Sequence, residues 1–342
     1  MIRSRSFFSA ALRFALAASP LLCARAAEPT PAARTVAAAE ALISTLDAAQ
    51  RSAVVFAYTN QVQRRLWSNL PTPMVRRTGL RWGDLKPDQL KAAEGVLKAA
   101  LSGMGYEKVM NIVEAEEVLR NSPGNPGNLV FGKDEFYLSF VGAPSAEKPW
   151  MIQFGGHHLA INVTVAGTNG VLTPSLTCTQ PASFQRDGKT VRPLGRENDL
   201  AFQLMGTLDA SQKSAALLGA RFRDIVLGPG QDGRRIAPEG VKVSTFTPAQ
   251  RKLLLELVSQ WVGIIRDDAA TAKMSEIEGN LDQTWFAWSG PTEPGSAAYF
   301  RIQGPTVVIE YAPQSLGGSA LNHTHTIYRD PTNDYGSRFG GF

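Results

Sequence analysis

Residues 137–163 read YLSFVGAPSAEKPWMIQFGGHHLAINV, and residues 285–311 read WFAWSGPTEPGSAAYFRIQGPTVVIEY. Aligned on Gly156 and Gly304, Ile152 faces Phe300, Phe154 faces Ile302, Leu159 faces Val307 and Ile161 faces Ile309. Apolar residues alternate at period two on either side of a glycine, as strands do around a tight bend or a close backbone approach. These stretches predict antiparallel β-structure in two places along the chain.

Working outward, four segments share a helix-start pattern: an apolar residue, then Asp, Lys or Thr, two spacers and a Gln. They are Leu46-DAAQ, Leu85-KPDQ, Leu208-DASQ and Phe246-TPAQ. Asp or Thr ahead of the first turn, and Pro inside it, suit a helix N-terminus. Helical apolar spacing follows, as at Leu253, Leu254, Leu257, Val258 and Trp261. Leu46 and Leu85 are 39 residues apart, and Leu208 and Phe246 are 38 apart. Order, spacing and pattern agree, which indicates an internally duplicated helix–helix–β-hairpin unit. The predicted fold is α+β: a single domain over 37–342 whose pseudo-repeat halves, about 37–195 and 196–342, form one compact body with antiparallel sheet.

The chain begins with the grammar of an export signal. Arg3 and Arg5 precede an apolar run from Phe7 to Cys23, and Ala24-Arg25-Ala26 offers a small-x-small cleavage site. Residues 1–26 are therefore expected to be a cleaved signal peptide, 27–36 a flexible tether, and the protein periplasmic or secreted. A lipid on Cys23 is the lesser alternative, because Pro20-Leu21-Leu22 lacks the small residue expected before a lipidated Cys. The 35 Lys and Arg exceed the 30 Asp and Glu, but Arg3, Arg5, Arg13 and Arg25 all fall in the leader. Removing those four leaves 31 against 30, so nothing favours nucleic acid or an anionic membrane as a partner. Cys178 is the one cysteine beyond the leader, which rules out an intramolecular disulfide. It has no nearby His in sequence and is expected to be a small buried residue. No later segment reaches the ~18 consecutive apolar residues of a membrane helix.

The four histidines fall in two pairs, His157-His158 and His323-Thr324-His325. Read as strand, His158 lies in phase with Ala160 and Asn162, and His157 with Leu159 and Ile161, so the two project to opposite faces. His323 and His325 project to one side, roughly 7 Å apart along an extended chain, close enough to share an ion. His158, His323 and His325 are thus candidate metal ligands. Glu310 or Asp330 would be the fourth ligand or general base, with His157 and Asn162 supporting them. The same residues also fit a metal-free polar site or a structural role. Arg329, in Arg329-Asp-Pro-Thr-Asn-Asp-Tyr-Gly336, either pairs with Asp330 or Asp334 or offers a fork to a carboxylate or phosphate ligand. No phosphate-binding Gly-x-x-x-x-Gly-Lys loop and no Gly-x-Ser-x-Gly elbow occurs.

Through WSNLP (67–71), GYEKV (105–109), PWMIQFGGHHLAINVTV (149–165), RIQGPTVVIEY (301–311) and NHTHTIYRDPTNDYG (322–336), nearly all of the chain past the leader resembles the bacterial family catalogued as domain of unknown function 3500. The resemblance implies that the histidine and Arg-Asp-Pro-Thr-Asn-Asp motifs are a family signature, and it implies no activity. On the residues themselves, the expected function is a metal-dependent enzyme acting on a small molecule or peptide. Zinc would favour hydrolysis, the preferred chemistry, while copper or iron would favour redox. The alternative is a non-catalytic metal- or ligand-binding protein.

Overall fold

The computed structural model describes Met1 and residues 28–123, 128–316 and 318–340. The expected signal peptide, apart from Met1, lies outside the described residues. The tether expected at 27–36 is overturned from residue 31 onward, because helix α1 (Pro31–Thr45) starts there. Thr30 caps it, Pro31 sits in its first turn, and Ala32, Thr35 and Val36 are buried, so this segment is core-packed helix.

The predicted helix starts hold in detail. Asp47 caps α2 (Ala48–Val54) through a reciprocal capping box with Gln50. A short α3 (Gln61–Arg64) leads to α4 (Pro87–Ala100), at whose start the Gln89 side chain accepts from the Lys86 N–H, and to α5 (Gly103–Arg120). After α6 (Gly195–Thr207), Asp209 and Gln212 box α7 (Ala210–Ala216), and Thr247 and Gln250 box α8 (Pro248–Val262). Helix α9 spans Asp267–Glu278. Each Gln also has a second task. Gln89 donates to Gln50 at 2.9 Å and to the Thr45 carbonyl at 3.1 Å. Gln250 likewise donates to Gln212 at 2.9 Å and to the Thr207 carbonyl at 2.9 Å. The Gln in each pattern thus ties one helix start to another as well as closing its own.

The strands are β1 (Val55–Phe56), β2 (Leu80–Arg81), β3 (Tyr137–Val141), β4 (Trp150–Gly155), β5 (Leu159–Ala166), β6 (Asn169–Thr177) and a separate hairpin of β7 (Phe184–Arg186) and β8 (Lys189–Val191). They continue with β9 (Val241–Lys242), β10 (Trp285–Ser289), β11 (Tyr299–Gly304), β12 (Val307–Pro313) and β13 (Thr324–Arg329). Eleven strands form one sheet in the order β1-β3-β4-β5-β6-β13-β12-β11-β10-β9, with β2 added on β3. All pairings are antiparallel except β1 with β3. The seam is β6 against β13, with Ile327 opposite Leu176 and Tyr328 opposite Ser175.

Alternation assigns the two faces. Phe140, Ile152, Phe154, Leu159, Ile161 and Val163 point to one side and pack with α1, α4 and α5. Phe286, Trp288, Phe300, Ile302 and Ile309 point to the same side and pack with α6 and α8. The opposite face carries Val141, Met151, Ala160, Leu176 and Ile327 and is covered by loops, Trp67 and Tyr335. Cys178 is fully buried there, as expected. Among the described residues, no helix is long and apolar enough to cross a membrane.

Candidate metal centre

His157 and His158 lie in the turn that joins β4 to β5, where Gly155 pairs with Ala160 and the Gly156 N–H donates to the Leu159 carbonyl at 2.9 Å. The strand assignment for the pair is therefore corrected to a hairpin turn. Gly156 is required there, since a Cβ would come within 2.9 Å of the Phe136 ring and 3.0 Å of the Glu135 carbonyl oxygen. His325 lies in β13 and His323 just before it, and the Cys178 N–H after β6 donates to the His158 carbonyl at 2.8 Å. Strand β6 thus lies between the two histidine segments and brings them to one end of the loop-covered face.

The rings converge through their Nε2 atoms. Nε2 of His323 is 3.1 Å from Nε2 of His158 and 3.0 Å from Nε2 of His325. Each Nδ1 faces an acceptor elsewhere. Nδ1 of His323 donates to the Leu316 carbonyl at 2.7 Å, and Nδ1 of His325 to Oδ1 of Asp224 at 2.9 Å. Nδ1 of His158 is in contact with Oε1 of Glu116. Asn69 Nδ2 also approaches Nδ1 of His325, at 3.3 Å, but the shorter contact with a carboxylate places the proton on Nδ1. A neutral imidazole carries one N–H, so with the proton on each Nδ1 three Nε2 lone pairs face each other. Buried polar atoms without a partner cost about 1–3 kcal/mol each. A tetrahedral cation with nitrogen bonds of about 2.0–2.1 Å needs its ligands about 3.3 Å apart, close to the spacing found. His158, His323 and His325 form a group able to hold a metal ion, all three buried.

The protonation balance agrees. Burial, with His157 beside it, drives the His158 imidazole well below its usual range. Burial, with His325 beside it, pushes His323 down to about 4. Both rings are neutral at pH 7, the form that ligates metals. Burial alone would raise the Glu116 carboxyl, but His157 and His158 hold it well below the usual carboxylate range. Glu116 therefore remains an anionic group behind the histidines, an arrangement that fixes ring orientation in metal sites.

His323, His325 and Asp224 line a cleft of about 420 Å³, and His158 is sealed behind them. His157 lines the same cleft, stacked on His158 with ring centroids 3.6 Å apart and bonded to Oε2 of Glu116 at 3.2 Å. Residues 28–337 match the family described as Protein of unknown function (DUF3500). The chain belongs to the DUF3500 family. Neither a curated protein nor a solved structure matches it.

In this DUF3500 protein the remaining expected site residues are placed elsewhere. Glu310 is fully buried and accepts from the Val226 and Leu227 N–H groups and from the Tyr299 hydroxyl at 2.6 Å. Strand register explains why it is not beside the ligands: Glu310 pairs with Ile327, whereas His325 pairs with Ala312. Asp330 lies at the far end of β13, held by Lys273 at 2.6 Å and by Thr332. The fork of Arg329 is turned inward: it donates to the Leu227 and Gly228 carbonyls and to Asp232 and Asp334. Four of the five N–H groups of a guanidinium are thereby engaged within the protein. Asn162 bonds Gln153 and the Pro174 carbonyl rather than a histidine.

Glu116, Asp224 and the Leu316 carbonyl were not anticipated. For Glu116 the signal existed, since it lies in helical phase with the buried Val109, Ile112 and Val113 of α5. Asp224 sits in a loop with no periodicity to mark it. Glu310 and Arg329 nonetheless matter to the site, because both clamp the 226–228 backbone that follows Asp224.

Proposed function

We propose that this protein binds a divalent metal ion through Nε2 of His158, His323 and His325 and acts as a metal-dependent hydrolase. One observation carries the reading: three imidazoles turn their Nε2 atoms toward one point, while Leu316 and Asp224 accept from Nδ1 of His323 and His325 and Glu116 lies against Nδ1 of His158. Zinc suits an all-imidazole set best, with copper and iron as competitors. With zinc bound, such a site polarises a carbonyl and lowers the pKa of a ligated water toward about 7. Two of the three ligands line an open cleft, which leaves a coordination position for water or substrate, the mark of a catalytic rather than a closed site. A non-catalytic binding site would be favoured by a fourth protein ligand, but Glu310 and Asp330 are bonded elsewhere. Asp224 and His157, both on the cleft wall, are the side chains placed to move a proton.

The same reading includes export, supported by the leader-like 1–26 segment, and an internal duplication. The duplication is supported by the matched helix starts and by the paired Gln bridges 50–89 and 212–250. The test is metal analysis of untagged protein and of His158→Ala and His323→Ala. About one zinc per chain in the wild type, lost in both variants, is expected. Equal substoichiometric metal in all three would sink the proposal.

A further inference from the structure

The walls of the cleft bear on what it accepts. Among the described residues, several of the exposed large apolar side chains lie at this cleft. Leu70 (38% exposed), Met74 (58%) and Leu316 (80%) line it. Val130 (46%) lies between the lining residues Leu129 and Phe131, whereas Leu321 (59%) lines a separate cleft. Besides Met1, the other exposed large apolar residues, Val62, Met104 and Leu217, belong to other segments. Such a concentration of exposed apolar surface around a concave site marks ligand contact. The charge pattern adds a second constraint. No Lys or Arg is among the described lining residues, and the one carboxylate among them is Asp224. An anionic group on a ligand would meet Asp224 with no side-chain cation to offset it.

We infer that the site takes an uncharged ester or amide whose acyl or aryl portion is apolar. This rests on the metal-hydrolase reading and adds the substrate class to it. The carbonyl would lie over the three histidines, with the apolar part against Met74, Leu316, Leu70 and Phe131. In the step itself, water adds to the carbonyl carbon, the C–O or C–N bond to the leaving group breaks, and the proton of the water passes to the leaving group. No oxidant or reductant is needed. A carboxylate on the substrate's tail, remote from the ion, would face Asp224 with no Lys or Arg among the described lining residues.

Hydroxamates, which ligate zinc and carry a variable tail, test this apart from turnover. Zinc-loaded full-length protein would be titrated calorimetrically with acetohydroxamate, hexanohydroxamate and succinomonohydroxamate. Each methylene buried is worth up to roughly fourfold in affinity, so the six-carbon compound is expected to bind at least tenfold more tightly than the two-carbon one. The carboxylate-tailed compound should bind at least tenfold more weakly than the six-carbon one. Met74→Glu, at an exposed position away from the histidines, should retain zinc and lose most of the chain-length preference. Affinity independent of tail length, tighter binding of the carboxylate tail, or no hydroxamate binding by protein that holds zinc would each overturn the inference and leave the metal reading intact. A wild type that retains no zinc overturns the metal reading and this inference with it.

Discussion

Replacing Glu116 by Gln removes one charge from the least exposed part of the site and little else. The carboxylate is buried on α5, touches Nδ1 of His158 and accepts from His157 at 3.2 Å. An amide of the same shape can still accept one hydrogen bond from its oxygen, but its NH₂ end then faces the other ring as a donor. One of the two histidines is forced to change tautomer or turn. Where the affected ring is His158, its Nε2 gains the hydrogen and no longer ligates. Loss of such a carboxylate partner behind a metal ligand lowers metal affinity roughly 10–100-fold, which is about 1.4–2.8 kcal/mol. Competition with a chromogenic chelator gives the zinc Kd, and urea unfolding of the metal-free proteins reports separately on the fold. Glu116→Gln is expected to weaken zinc by at least tenfold at unchanged stoichiometry. Zinc affinity within twofold of wild type would refute the view that Glu116 fixes the tautomer of His158.

Three further outcomes follow from the same geometry. Glu310→Gln should weaken zinc only severalfold but destabilise the metal-free protein by roughly 1–3 kcal/mol in urea, because the 226–227 amides lose a charged acceptor. Arg329→Leu removes the cation shared by the Asp232 and Asp334 carboxylates and the donors to two carbonyls, and should cost about 3–5 kcal/mol in the same assay, with Arg329→Lys rescuing only part of it. Stability of the metal-free protein should fall as pH drops. In the unfolded chain His323 protonates near its ordinary value of 6.5, whereas the folded protein resists protonation down to about 4. The unfolded state therefore binds more protons across that window, and ΔG of unfolding declines from about pH 6.5 to about pH 4 by at most ~3 kcal/mol for this group. Melting temperatures across pH 4–7 that stay flat would contradict it.

What the sequence revealed, and what it withheld, divides along physical lines. The helix starts were legible because capping is local: Asp47, Asp209 and Thr247 each bond an amide three residues on. The hairpins were legible because alternation is local too. Register is not local, and that is where Glu310 misled. It shares the loop-covered face with His325, but β12 pairs so that it lies two residues further along, about 7 Å away. Asp330 fails for the same reason, five residues beyond His325 and drawn to Lys273 of α9. The histidines were found because they are four and paired. Their acceptors were missed because one is a backbone carbonyl, one lies in an irregular loop, and one sits on a helix distant in sequence.

The seam between β6 and β13 has a consequence for how the ion gets in. His158 and His323 are separated by 165 residues, and β13 is the last strand among the described residues. A growing polypeptide therefore presents His157 and His158 long before His323 and His325 exist. On the proposed reading, the three-histidine site is complete only once β13 has docked beside β6, so an ion held there would be loaded by the finished fold. The identity of such an ion would then be decided by the compartment in which folding ends, rather than the one in which synthesis begins.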